Sequence, residues 1–229
     1  MVKMSVNVIA VDGPAASGKS TLARNLANRL GVLYVNTGSL YRAVALKALR
    51  LGIPTKDAAA LSAMLEQTSL RYAKDADGKL DIELDGEFPG LALRSADVAK
   101  GASDVATVPE VRAWTLEIQR DTAKENTIVM EGRDIGTVVF PDAKYKFFLS
   151  ASPLARAKRR LAQEGETMDG ATLESVAAEI AARDKQDSER AIAPLKQAED
   201  AIAVDNSDWT IEQTLDYICD QIRAIDEQV

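Results

Sequence analysis

The chain of 229 residues is 46% hydrophobic and 28% charged, a globular balance with room for one large core carrying insertions, or for two small domains. Its net charge of −7 argues against a protein that grips nucleic acid along the backbone, so any anion site must be a local positive pocket in an acidic body. With no histidine and Cys219 as the single cysteine, an internal disulfide, a cysteine-rich zinc site and the His-dependent nucleophilic triads are excluded.

"VNVIAV" (6–11) predicts the first strand. Its nearly continuous apolar character suits a strand buried on both faces of a parallel sheet. The run is too short for the core of a secretory leader, and Asp12 ends it without a cleavage site. No later run is long enough to span a bilayer, so a cytoplasmic chain without membrane contact is expected. "GPAASGKS" (13–20) follows at once and spells G-x-x-x-x-G-K-S. Gly13 and Gly18 permit conformations that turn successive N–H groups onto one anion, and the helix beginning near Ser20 adds its N-terminal dipole. Lys19 is placed to reach β- and γ-phosphates, and the Ser20 hydroxyl to ligate Mg²⁺. The alternative, a chance match in a small-residue turn, is weakened by the strand before the loop and the amphipathic helix after it. That helix carries Leu22, Leu26, Ala27 and Leu30 on one stripe and ends at Gly31.

"VLYVN" (32–36) predicts a second strand, and "NTGSLYRAV" (36–44) lies at its C-terminal end, where open α/β sheets place ligands. Arg42 there is either a bidentate phosphate ligand or a solvated residue of a helix capped by Thr37 or Ser39. In residues 69–93, Leu80, Ile82 and Leu84 alternate with Asp81, Glu83 and Asp85 after a "DADGK" turn. This predicts a small antiparallel insertion with one wet face. "TIVME" (127–131) predicts the third core strand, and "MEGRDIGTVVFPDA" (130–143) brings Glu131, Arg133 and Asp134 to the same sheet edge. Glu131 is placed to hold Mg²⁺ through water, Arg133 to bind phosphate, and Asp134 to accept from a base amino group. A turn closed by an Arg–Asp ion pair is the structural alternative.

"KFFLS" (146–150) predicts a fourth strand, and Ser152-Pro153 opens a helix through Arg156, Lys158, Arg159 and Arg160. Those cations read equally as a solvated face or as a phosphate-side patch. Residues 154–190 are expected to be mostly helical, with "QEGETMDGAT" (163–172) as a hinge or loop. In "ARDKQDSERAIAP" (182–194), Arg183, Asp187 and Arg190 fall at i, i+4 and i+7, one helix face; a surface salt-bridge stripe is the plainer reading. "AIAVD" (201–205) predicts the fifth strand, and Ile211, Leu215, Ile218, Ile222 and Ile225 form the stripe of a last helix. Strands alternating with helices make the fold class α/β, doubly wound.

The motif at 13–20 leaves several classes open. A base-reading N/T-K-x-D string of GTPases is missing; "DKQD" (184–187) lacks the first Asn or Thr and lies in a polar helix. Large motor or transport ATPases need more chain. A small kinase needs a second, cationic pocket for an anionic acceptor, and Arg42, Arg133 and Arg190 are candidates for one. A non-catalytic nucleotide-binding module remains as the alternative from another class.

"DGPAASGKST", "NTGSLYR", "EGRDIGTVVFPDA" and "RDKQDSERAIAPL", in this order, closely resemble bacterial cytidylate kinases (CMP/dCMP kinases) of the nucleoside monophosphate kinase superfamily, over about Val8 to Val204. The resemblance implies a P-loop NTPase-type five-stranded parallel sheet with flanking helices, an inserted small antiparallel sheet and a helical lid. It divides a single domain into CORE (about 1–37, 104–153 and 191–229), NMP-binding part (about 38–103, with the insertion 69–93) and lid (about 154–190). Gly13, Pro14, Ala15, Ala16, Ser17, Gly18, Lys19, Ser20 and Thr21 would cradle ATP. Arg42, Arg133 and Arg190 would bind the CMP phosphate; Ser103, Arg112 and Asp134 would read the cytosine; Arg183 and Asp187 would meet the ribose or the phosphates in transfer. Arg156 and Arg160 would belong to the lid near ATP. Thr37 stands where a serine is common, and Glu131 where an aspartate is common. The implied activity is Mg²⁺-dependent transfer from ATP to CMP or dCMP by a monomer acting on small molecules, with a kinase for UMP, AMP or a sugar acid as the alternative.

Overall fold

The structure, a computed structural model, describes residues 8–124, 126–163, 167 and 170–227. Five parallel strands form the central sheet: β1 (Val8–Asp12), β2 (Leu33–Asn36), β5 (Ile128–Gly132), β6 (Tyr145–Ser150) and β7 (Ile202–Asp205), in the order β2-β5-β1-β6-β7. The registers Val11↔Glu131, Asn36↔Glu131 and Asp12↔Phe148 align the strand ends, so the loops after β1, β2 and β5 open on one edge. β1 and β5 are buried along their whole length, as the continuous apolar runs require. The edge strands β2 and β7 are only partly buried.

Helices cover both faces. α1 (Lys19–Leu30) and α8 (Ile211–Glu227) lie on one side, where Leu22, Leu26, Leu215 and Ile218 pack with Phe147 and Leu149. Each such side chain contributes about 1.5–3 kcal/mol by leaving water. Gly31 ends α1 at φ 67°, a left-handed conformation that favours glycine.

A second core holds α2 (Thr37–Arg50), α3 (Ala58–Leu65), α4 (Ala96–Val105) and α5 (Pro109–Thr122) together with the hairpin β3 (Leu70–Lys74) and β4 (Leu80–Leu84). The hairpin is antiparallel, and its Ile82 and Leu84 are buried. α6 (Pro153–Leu161) and α7 (Leu173–Glu189) form an arm whose small core of Ala157, Val176 and Ile180 closes on Ala15. Ser152 caps α6 by accepting from the Ala155 N–H.

The expected hinge or loop at 163–172 falls largely on residues 164–166, 168 and 169, outside the described residues, as do Val6 and Asn7 of the first expected strand. One helical expectation is corrected. α7 stops at Glu189, and Arg190 is already extended, at φ −61° and ψ 140°, so Arg183, Asp187 and Arg190 do not share one helix face. Among the described residues no helix is long and apolar enough to cross a membrane.

Candidate active site

The loop after β1 is held open by backbone geometry. At Gly13 (φ 153°) a Cβ would stand 2.1 Å from the Leu149 carbonyl oxygen, a backbone atom that cannot yield. Gly18, at φ 88°, precedes α1 and offers no side-chain cap to its first N–H groups. An uncapped helix start beside a cation is a ready anion seat. Lys19 Nζ is buried and donates to the Pro14 carbonyl at 2.9 Å. Burial, then the nearby Arg133, pushes its pKa down to about 7. Ser20 Oγ donates to Glu131 Oε2 at 2.8 Å, while Tyr34 Oη donates to Glu131 Oε1 at 2.5 Å. Ser20 and Glu131 thus present adjacent hard oxygen donors, suited to a Mg²⁺ ion that keeps several waters and takes substrate phosphates. Among the described residues no cluster of three or more His, Cys, Asp or Glu side chains that could hold a metal ion exists.

A cleft of about 910 Å³ runs from Lys19 to Arg190, and ten Lys and Arg side chains line it against four Asp and Glu. This is the local positive pocket that an acidic body requires. Arg42 reaches it from α2, with Nη1 donating to the Leu93 carbonyl at 2.8 Å. Arg133, just past β5, donates from Nε to Asp187 Oδ2 at 2.8 Å. Asp187 lies below the usual carboxylate range although burial opposes this, because Arg133 and Arg183 face it. Arg183 is half-buried, its buried Nε has no hydrogen-bond partner, and desolvation with Arg133 nearby draws its pKa down to about 10. Arg160 also lines the cleft, its pKa lowered first by burial and then by Arg42. An anion entering here relieves mutual repulsion among guanidinium groups.

Asp134 sits at the far end. It is buried, accepts from Arg190 Nη2 at 3.1 Å and forms an ion pair with Arg112. Arg112 in turn lies 5.7 Å over the Tyr41 ring. Ser103 lines the cleft nearby, and its buried Oγ has no hydrogen-bond partner, an orphaned group that awaits one.

Not every expected residue faces the cleft. Gly13, Pro14, Ser17, Arg112 and Arg156 do not line it. Thr37 does, but its Oγ1 is spent on the Glu131 carbonyl at 2.8 Å. Arg156 is buried behind the phosphate loop, donating to the Ala15 carbonyl at 3.2 Å and the Ala151 carbonyl at 3.1 Å and pairing with Asp184. The face turned to the cleft instead carries Arg159 and Arg160. Arg159 donates to the Ser17 carbonyl at 3.2 Å and to Asn206 Oδ1 at 2.9 Å. Sequence reasoning missed Asn206, although its place just after the β7 strand was a usable signal. It also missed Tyr34 and Asp12, whose roles rest on contacts more than a hundred or nearly a hundred positions away.

Fold and cleft together define a phosphate-binding-loop protein of the α/β class, in which a cluster of arginines lines the same cleft as the loop. The family model described as "Cytidylate kinase" matches residues 9–224, and the chain belongs to that family. It is 45% identical over 211 residues to a cytidylate kinase of Symbiobacterium thermophilum, covering 92% of this chain and 93% of the relative. It is 47% identical over 219 residues to one of Pelotomaculum thermopropionicum, covering 94% and 96%. A solved structure of an uncharacterized protein from Eubacterium ventriosum superposes with TM-score 0.52 at 14% identity over 96% of this chain and 98% of that one, a likeness of fold alone.

Proposed function

We propose that the chain transfers the γ-phosphoryl group of ATP to CMP or dCMP, giving ADP and CDP or dCDP. The observation that carries this is the single cleft in which the phosphate loop and the Arg42, Arg133, Arg183 and Arg190 group face each other. Two polyanions meeting end to end need such a surplus of positive charge.

The loop residues Gly13 to Thr21 seat the triphosphate, with Lys19 on its outer phosphates. Arg42, Arg133 and Arg190 take the acceptor phosphate. Ser103 and Asp134 take the cytosine, Asp134 accepting from the 4-amino group, and Arg112, expected beside them, acts from behind through its ion pair with Asp134. Arg183 and Asp187 lie between, at the ribose and the phosphates in transfer. Thr37 supports the acceptor side through its bond to the β5 strand end. Arg160 and Arg159 close over the donor, and Arg156 belongs to the loop's support. Ser20, with Glu131 through water, would hold Mg²⁺, which supplies charge neutralisation on the phosphates when bound. The acceptor's phosphate oxygen is nucleophilic near neutral pH without help, so this chain needs no general base and orients the two groups in line. The segments 38–103 and 154–190 act as NMP-binding part and lid on a CORE made of the rest, and closing them excludes water. We read the enzyme as a monomer, cytoplasmic, in pyrimidine nucleotide metabolism.

An ADP-release assay with CMP, dCMP, UMP and AMP side by side tests this. The reading predicts turnover with CMP and dCMP well above UMP and AMP. Preference for AMP or UMP, or ADP release indifferent to any acceptor, contradicts it.

A further inference from the structure

Asp12 ends β1 and directly precedes the phosphate loop, yet it contacts neither the cleft nor Lys19 by hydrogen bond. It is 4% exposed. Its Oδ1 accepts the Ile135 N–H at 2.8 Å, and its Oδ2 accepts the Gly136 N–H at 2.8 Å. These are the first two N–H groups after Asp134, where the chain winds into a single π turn, Ile135–Val139. Such turns are rare and cluster at functional sites. The same loop is pinned from the other side: a Cβ on Gly132 would lie 2.6 Å from Ile135 Cδ1 and 2.8 Å from Thr37 Oγ1. Between Gly132 and Gly136 the backbone therefore has little freedom, and Arg133 and Asp134 are carried by it.

Burying a carboxylate here is unfavourable, and burial pushes its pKa up to about 6 despite both N–H donors. A neutral cap would avoid that cost. Only a carboxylate, however, offers two acceptors spaced to meet two successive N–H groups; an amide of the same shape would oppose one of them with its own NH₂.

We propose that Asp12 is a positioning residue that determines specificity: its grip on the Ile135 and Gly136 N–H groups fixes Asp134 for the acceptor base, and so sets cytosine-over-uracil discrimination without touching the acceptor. Cytosine presents a 4-amino donor where uracil presents an oxygen. A well-placed Asp134 accepts from the first and repels the second, whereas a loosened one distinguishes them poorly. This rests on the acceptor reading given above.

The test compares Asp12→Asn with the unaltered protein for kcat/KM toward CMP and UMP at saturating ATP, alongside ATP affinity by calorimetry and thermal unfolding. The ratio of the two kcat/KM values is expected to fall about tenfold or more, mainly through the KM for CMP, with ATP affinity changed less than about threefold. In an Asp134→Ala background the Asp12→Asn change should alter the ratio little further, since both act through one carboxylate. Asp12→Ser keeps one acceptor in a smaller side chain and serves if the Asn variant does not fold. An unchanged CMP/UMP ratio in a folded variant overturns the proposal, as does a loss equal for CMP, UMP and ATP, which marks a purely structural role. If the unaltered protein itself does not prefer CMP to UMP, the acceptor reading fails first, and that outcome is separate.

Discussion

Lys19 is held among cations before any anion reaches it. Burial and Arg133 bring its amine down to about pKa 7, so at pH 8 the free protein carries it mainly uncharged. A bound triphosphate reverses the balance and restores the charge. ATP binding at pH 8 should therefore take up protons, read as a dependence of the calorimetric enthalpy on the buffer's ionisation enthalpy. Lys19→Met should abolish it, and a buffer-independent enthalpy in the unaltered protein contradicts the arrangement. The sign for stability follows from the same shift. The amine's folded pKa lies below its unfolded value of 10.5, so the native state binds fewer protons between about pH 7 and 10.5. Its burial cost is therefore borne in full below about 7 and relieved as pH rises through that window.

Among the elements, α6 and α7 hold the tip of the phosphate loop by its backbone. Asp184 Oδ1 accepts the Ala15 N–H at 3.1 Å, and Arg156, paired to the same carboxylate, donates to the Ala15 carbonyl at 3.2 Å. Asp184→Ala strands Arg156, which is 9% exposed, and breaking a largely buried pair costs about 3–5 kcal/mol. For a chain of this size the melting temperature should drop by about 6–20 °C, measured by scanning calorimetry, with Asp184→Asn milder because it keeps an acceptor for the Ala15 N–H. A drop below about 2 °C for the Ala variant contradicts this role.

The same elements mark how far the sequence was legible. The five core strands and the hairpin were readable because period and apolar continuity are properties of neighbours in the chain. The phosphate loop was readable because its glycines answer a local backbone demand. Which arginine of "LARAKRRL" faces the cleft was not, since Ala157 is the one fully buried apolar residue of that stretch, and packing on α7 decides the rotation. Nor was the end of α7. No glycine marks it; the chain leaves the helix as Leu195 N–H bonds back to the Asp187 carbonyl at 2.8 Å and Arg190 turns to Asp134. The π turn and its Asp12 anchor span positions more than 120 apart and leave no local pattern.

For the molecule as a whole, one helix ties the two halves of the cleft together. Along α7, Asp184 holds the phosphate loop, Gln186 Nε2 donates to the Ser103 carbonyl at 3.0 Å, and Asp187 holds Arg133. An acidic protein of net charge −7 thereby concentrates cations along a single path, aimed at two phosphate groups rather than at a polymer. The account's central claim is direct transfer between nucleotides along that path. Its most direct measurement follows the label from ATP carrying ³²P in the γ position, incubated with the purified chain, Mg²⁺ and CMP. The prediction is that label moves into CDP in step with ADP formation, with almost none in inorganic phosphate. Label accumulating in phosphate, or remaining in ATP while CMP is present, would contradict it.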